Sequence, residues 1–420
     1  MNQKRFEKTL SVLNSYSEEG AGINRIAYSD MENKALQYLI EQFREEGLEI
    51  KEDPAGNLLA RREGEDPSLP AIAFGSHIDT VYEGGQYDGA IGVVAALEVM
   101  RHLNEEEIKT AAPLEVIVFA CEESSRFGIS TVGSKAMTGQ LNTSELKSLT
   151  DKENITFKEA VENRGLDIDD FVKARRHDGE LNCFVELHIE QGPRLEKENK
   201  DIGVVTSIAA PTRYHIDIFG TASHSGTTPM RYRKDAFLAA SEIALSLEEY
   251  ALQEEEFNSV ATAGNCVVRA GAMNVVPGHV EMQVDIRGTS VESIERIKHK
   301  LIEKIEKVKK QRSLDINADL ISEESPVKMG GKLTEELKIQ CEKNGFSYIE
   351  MPSGAGHDAM NMSKICPAAM IFIPSENGLS HNPLEYSSME QIMKGAVLLK
   401  DTVLSLAKKE SLEGAGINEK

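Results

Sequence analysis

The sequence predicts an α/β protein built on a mixed, mostly parallel sheet with helices on both faces, interrupted by an inserted ferredoxin-like α+β domain. Three observations carry that reading. Apolar runs at 69–74, 114–121 and 183–189 have the character of buried strands and alternate with segments of helical spacing. Beyond about residue 211 the order becomes β-α-β-β-α-β, the split βαβ unit. A chain of 420 residues is also too long for one typical core. Two domains are expected: 1–210 with 326–420, and 211–325, bounded by Pro211 and Pro326.

Residues 1–50 read as two helices. Ser29 and Asp30 offer a cap for the second, whose Ala35, Leu36, Leu39, Ile40 and Phe43 recur at helical spacing before Gly47 stops it. An edge hairpin follows around Asp53-Pro54-Ala55-Gly56-Asn57. The first buried strand leads into Gly75-Ser76-His77-Ile78-Asp79, with Asp88 just ahead of the helical stretch 93–103. The polar segment 138–178 reads as surface helices, at 144–149 and 156–162. In the inserted domain, strands are expected at 214–219, 265–271, 279–287 and 314–321, with helices at 234–250 and 290–310. Thr289-x-x-Glu292 offers the second of these helices a capping box. A helix at 333–344, a strand at 368–373 and a long helix opened by Ser387-x-x-Glu390 complete the pattern, and the polar end 410–420 is expected to fray.

Lys and Arg total 47 against 69 Asp and Glu, a net charge of −22. That balance argues against nucleic acid and anionic membrane as partners, both of which need basic surface. Five scattered cysteines without a C-x-x-C pair favour free thiols. With no signal-like leader and no apolar run near 20 residues, a cytoplasmic location is expected.

Each buried strand ends at once in chemistry-bearing residues: His77 after the first, Glu122-Glu123 after the second, His188 at the end of the third, and His381 in the loop after the strand at 368–373. Taken singly, Asp88 is explained as a helix cap, the Glu pair as a solvated turn, and each histidine as a hydrogen-bonded structural residue. Together they fall at one sheet edge, where open α/β sheets bind ligands. His77, Asp88, Glu123, His188 and His381 are therefore candidate metal ligands, with Asp79 behind His77 to fix its tautomer. Imidazoles with carboxylates suit Zn²⁺ or Mn²⁺ rather than Ca²⁺. Five ligands exceed what one catalytic zinc uses, so two ions sharing Asp88 are expected. Such a pair can hold a hydroxide and polarise a carbonyl, with Glu122 free to act as general base. His102, His177, His215, His279 and His299 lack such context and read as structural or solvated.

These motifs resemble the dinuclear aminoacylase and glutamate carboxypeptidase-like metallopeptidase superfamily, with its zinc-exopeptidase-like fold. More narrowly, they are similar to its N-carbamoyl-L-amino-acid hydrolase, allantoate amidohydrolase and ureidopropionase branch. The narrowing motif is Glu186-Leu187-His188-Ile189-Glu190-Gln191-Gly192-Pro193, with a histidine where peptidase relatives carry an acid. The resemblance implies that His77, Asp88 and His188 surround one divalent ion and Asp88, Glu123 and His381 another, Zn²⁺ or Mn²⁺, with Co²⁺ or Ni²⁺ as alternatives. It implies Glu122 as general base and Asp79 as the group orienting His77. His224 would stabilise the oxyanion, typically across a homodimer formed through the inserted domain. Asn274 and Arg287 would hold a substrate carboxylate, and Gln191, Gly356 and His357 would make further substrate contacts. The expected function is hydrolysis of a linear ureido or carbamoyl amide bearing a carboxylate. The alternatives are an aminoacylase or dipeptidase of the same superfamily and, more remotely, a noncatalytic metal-binding dimeric module.

Overall fold

A computed structural model of the chain describes residues 1–408; the expected fraying of 410–420 lies outside the described residues. The chain divides into two compact units. One comprises Met1–Thr206, Met329–Met351 and the chain from His357 onward; the other comprises Ser207–Lys328 with Pro352–Gly356.

The first unit opens with α1 (Gln3–Ser15), α2 (Asp30–Glu45), β1 (Glu49–Glu52), β2 (Leu58–Arg62), β3 (Ala71–His77), α3 (Ala90–Glu105) and β4 (Leu114–Phe119). It continues through α4 (Val132–Met137), α5 (Thr143–Leu146), α6 (Phe157–Asn163), β5 (Leu181–Ile189), α7 (Arg194–Lys197) and β6 (Ile202–Ile208). The second unit holds β7 (Ala210–Phe219), β8 (Ser223–His224), α8 (Ala236–Leu252), β9 (Val260–Val268), β10 (Val275–Val276), β11 (His279–Gly288), α9 (Val291–Arg312), β12 (Asp315–Glu323) and β13 (Val327–Lys328). The chain then adds α10 (Lys332–Asn344), β14 (Tyr348–Ser353), α11 (Asp358–Met362), β15 (Ala368–Ile373) and α12 (Met389–Leu406).

The large sheet runs β1-β2-β4-β3-β5-β15-β6, with β14 also paired to β6. Its centre, β4-β3-β5-β15, is parallel, while β2 and β6 join antiparallel. Ile72, Phe74, Val116, Val118, Val185, Leu187, Ile371 and Ile373 face one core together with α1, α2, α3, α10 and α12. The alternate positions Phe119, Phe184 and Phe372 point the other way, as the two-residue strand period requires. Helix α3 buries 13 of its 16 residues, so it lies between the sheet and the outer helices and its polar groups need partners. Arg5 donates to Glu98 at 2.8 Å, and Arg101 donates to Thr9 Oγ1 at 2.9 Å.

Segment 138–178 departs from its surface reading. Leu146, Phe157, Ile168 and Phe171 are buried in a second cluster with Tyr28, Cys121 and Phe127. A few apolar side chains spaced among Lys and Glu are enough to dock short helices on that face. Two capping boxes also differ from expectation by one residue. Ser290, not Thr289, caps α9 by accepting from Ser293 N, and Ser388 with Gln391 forms the box of α12. Ser387 instead donates to Pro374 O at 2.7 Å.

In the second unit β12-β7-β11-β9 form an antiparallel sheet, and α8 and α9 cover the face lined by Ile216, Ile218, Val280, Val284 and Ile286. Its boundaries run through paired strands rather than at prolines. Lys328 and Val327 pair with Ser207 and Ile208, and Ala209 N donates to Ser353 O, which brings Pro352–Gly356 into the unit. All five cysteines are free, and no described helix is long and apolar enough to cross a membrane.

Candidate active site

Parallel register brings the chemistry to one edge. His77 pairs with Phe119, so Glu122 and Glu123 emerge just beyond the end of β4 beside the end of β3. His188 pairs with Phe372, so the loop after β15 leaves from the same edge as the end of β5. Two close approaches fix this arrangement. Gly75, at φ +154°, sits where a Cβ would meet Ile117 O at 1.9 Å, and Gly89, at φ +60°, where it would meet the His77 ring at 2.5 Å. Arg25, 1% exposed, donates to Ile78 O at 2.6 Å and so holds the peptide between Ile78 and Asp79. Cys121, Gln191 and His381 have φ of +51°, +58° and +53°. Such backbone costs of order 1–3 kcal/mol each and persists where surrounding structure imposes it.

The five candidate ligands form two groups that share Asp88: His77, Asp88 and His188, and Asp88, Glu123 and His381. Asp88 Oδ1 lies 3.4 Å from His77 Nε2 and 3.2 Å from His188 Nε2. Its Oδ2 lies 3.6 Å from His381 Nε2, which is 3.2 Å from Glu123 Oε1. Both buried imidazoles have a defined tautomer. His77 Nδ1 contacts the Asp79 carbonyl at 3.0 Å and His188 Nδ1 the Ile189 carbonyl at 2.9 Å. A carbonyl only accepts, so each Nδ1 carries a proton and Nε2 is the ring atom that faces Asp88. Gly89 N–H donates to His188 Nε2 at 3.1 Å, consistent with that assignment.

Asp79 differs from expectation in detail. Its carboxylate is 3.6 Å from His77 Nδ1, and the backbone carbonyl makes the shorter contact. The carboxylate instead accepts from Glu122 N at 3.1 Å and Glu123 N at 2.9 Å, fastening the two acids to the loop after β3. Glu122 Oε2 stands 3.9 Å from His77 Nε2 and outside both ligand groups. Burial, which His77 only partly offsets, pushes the Glu122 carboxyl well above its usual range. Asp88 goes the other way: burial alone would raise it, but His188 and His77 outweigh that and hold it well below.

Residues 73–405 match the description Peptidase family M20/M25/M40. The chain belongs to that family. It is 36% identical over 393 residues to the N-carbamoyl-L-amino acid amidohydrolase of Geobacillus stearothermophilus, covering 94% of this chain and 95% of that one. It is 35% identical over 388 residues to the allantoate amidohydrolase of Bacillus subtilis, covering 92% and 93%. Among solved structures, a hydantoinase/carbamoylase family amidase from Burkholderia multivorans superposes with a TM-score of 0.89 at 31% identity, covering 97% of this chain and 98% of that one. This M20/M25/M40 chain is accordingly a metal-dependent hydrolase.

Its residues fit a cation. Asp79, Asp88, Glu122 and Glu123 are each at most 7% exposed and lie in one pocket, where carboxylates repel each other unless positive charge compensates them. Three imidazoles with two carboxylates are a donor set for a borderline divalent ion.

Among the remaining predicted residues, Gln191 joins the site: its Nε2 donates to Asp88 Oδ2 at 2.7 Å, while its buried Oε1 has no partner among the described residues. His357 is 2% exposed and packs edge-on against His188 at 4.6 Å, and burial keeps it well below the usual imidazole range. The second unit holds the others. His224 is paired with Val275 through β8 and β10, which sets it beside Asn274, whose carbonyl accepts from Ser225 N. Arg287 donates to Asp285 at 2.9 and 3.2 Å and to Gly354 O at 3.4 Å, and Gly356 lies in the adjoining loop of that unit.

Two groups escaped the sequence reading. Glu385, 2% exposed, accepts from Tyr87 N at 2.9 Å and Asp88 N at 3.1 Å, and Ser380 Oγ lies 2.9 Å from Asp88 Oδ2 and 3.1 Å from Glu385 Oε2. Together they hold the shared carboxylate from behind. The signal available was an acid four residues after His381 in a Ser-His-Asn-Pro loop.

Proposed function

We propose that this chain hydrolyses the C–N bond of a linear ureido or carbamoyl substrate bearing a carboxylate, an N-carbamoyl-L-amino acid or allantoate. The observation that carries this is His188. It completes a His-Asp-His group at 3.2 Å from Asp88, within the motif on which the sequence resembles the carbamoyl-cleaving branch.

In this reading His77, Asp88 and His188 hold one divalent ion and Asp88, Glu123 and His381 a second, Zn²⁺ or Mn²⁺. Cations so placed supply Lewis acidity, polarising the scissile carbonyl and making water acidic near neutral pH. Glu122 takes the proton of the attacking water and delivers it to the departing nitrogen. Gln191 Oε1 accepts from a substrate N–H, and Asn274 with the Arg287 guanidinium binds the carboxylate. Gly226 N–H donates to His224 Nδ1 at 3.0 Å, so a neutral His224 carries its proton on Nε2, the form that donates to a developing oxyanion.

The test is a panel of N-carbamoyl amino acids and allantoate beside N-acetyl amino acids and dipeptides, after loading with Zn²⁺, Mn²⁺, Co²⁺ or Ni²⁺. Ammonia release from the first two classes is expected; turnover confined to the acetylated substrates or dipeptides would overturn the assignment.

The second unit is assigned the dimer contact, with His224 serving the partner's site. Mixing His224→Ala and Glu122→Gln protomers should then restore about one quarter of the wild-type rate, since each mixed dimer of a two-fold assembly regains one working site. No recovery after subunit exchange would place His224 in its own chain's site.

A further inference from the structure

The outer face of the second unit's sheet carries a cluster remote in sequence from every ligand named above. His215 and Asp217 project from β7, and His279 and Glu281 from β11, with Glu281 directly opposite Asp217. His279 Nε2 lies 2.9 Å from Asp217 Oδ1, and His215 Nε2 lies 3.1 Å from Asp217 Oδ2. Donor atoms of Asp217, His279 and Glu281 all fall within 4.8 Å of one another. Their side chains are 24–28% exposed, open to an ion from solvent yet held by the sheet. Phe219 stacks on the His279 ring at 4.5 Å and 13°, which fixes its plane.

Like charges directly opposite on adjacent antiparallel strands destabilise the pair. Of the two carboxylates, Glu281 accepts from Arg269 at 2.7 and 2.5 Å. Each carboxylate oxygen has a second lone pair, so Glu281 can keep Arg269 and still offer a ligand. In a tetrahedral site with bonds near 2.0 Å, neighbouring donors stand about 3.3 Å apart. The His279–Asp217 separation here, 2.9 Å, is a little under that value, and the separations around Asp88 are 3.2–3.6 Å.

We propose that Asp217, His279 and Glu281 bind a further divalent ion of the Zn²⁺ class, with His215 fixing the second oxygen of Asp217. Mixed imidazole and carboxylate donors favour such an ion over Ca²⁺ or Mg²⁺. The residues that looked structural or solvated in sequence become a site because two strands set them side by side.

The experiment uses the full chain, stripped with a chelator, dialysed, loaded with Zn²⁺, freed of excess by gel filtration and analysed for zinc and protein. Wild type should retain one more zinc per chain than His215→Ala/His279→Ala or Asp217→Asn, with kcat/KM unchanged in both variants. A variant of the main site, Asp88→Ala, should keep the extra ion and lose it when His215→Ala/His279→Ala is added. Equal zinc contents in wild type and Asp217→Asn would overturn the proposal. Asp217→Asn preserves the side-chain shape and so stays informative if the double variant folds poorly, which far-UV circular dichroism would show.

Discussion

Replacing Glu122 by glutamine should lower kcat by about 10²–10⁴-fold, the range for losing a general acid–base group, while leaving the bound metal content at the wild-type level. The two readouts separate because Glu122 lies outside both ligand groups, yet its Oε2 is 3.9 Å from His77 Nε2. Glutamine keeps the volume and the backbone N–H that donates to Asp79 Oδ1 at 3.1 Å, so the loop after β4 should hold its shape. What disappears is the basic oxygen. Elemental analysis beside steady-state kinetics checks this; an unchanged kcat would remove Glu122 from the chemistry, and a lost ion would make it a ligand.

Asp88→Ala should act on both ligand groups at once. Oδ1 faces His77 and His188 and Oδ2 faces His381, so no other single side chain belongs to both sets. Metal affinity should fall by at least the ~10–100-fold that loss of a supporting outer residue costs, and turnover should fall to background with it. His381→Ala offers the contrast, because it leaves His77, Asp88 and His188 intact. Titration of the stripped variants with Zn²⁺ or Mn²⁺, followed by activity, distinguishes them. If Asp88→Ala bound metal as tightly as His381→Ala, the shared carboxylate would have no special place.

Much of the site was legible because each parallel strand announces its end in sequence. An apolar run followed at once by His77, by Glu122-Glu123 or by His188 is unfavourable in a core unless those groups meet something, and strand ends on one sheet edge are where they can. The α/β character and the βαββαβ order were legible for the same reason: strand and helix periods differ. Misreadings came where neighbouring residues offer equal local chemistry. Thr289 and Ser290, or Ser387 and Ser388, are interchangeable as caps until packing fixes which backbone N–H each faces. In segment 138–178 the polar average hides Phe157 and Phe171, whose burial depends on a face offered by Tyr28 and Phe127, distant in sequence.

By itself the sequence determined the kinds of donor and their places at strand ends, since these follow from local pattern and spacing, and its motifs carried the resemblance to the family. Only the tertiary structure decided that Asp79 accepts from Glu122 and Glu123 through its carboxylate while its carbonyl fixes the His77 tautomer, that Glu385 and Ser380 support Asp88, and that His215, Asp217, His279 and Glu281 share a sheet face. Those contacts join residues tens to hundreds of positions apart, or turn on the difference between 3.0 Å to a carbonyl and 3.6 Å to a carboxylate. Strand register and close packing set such distances, and neither is written in any one stretch of the chain.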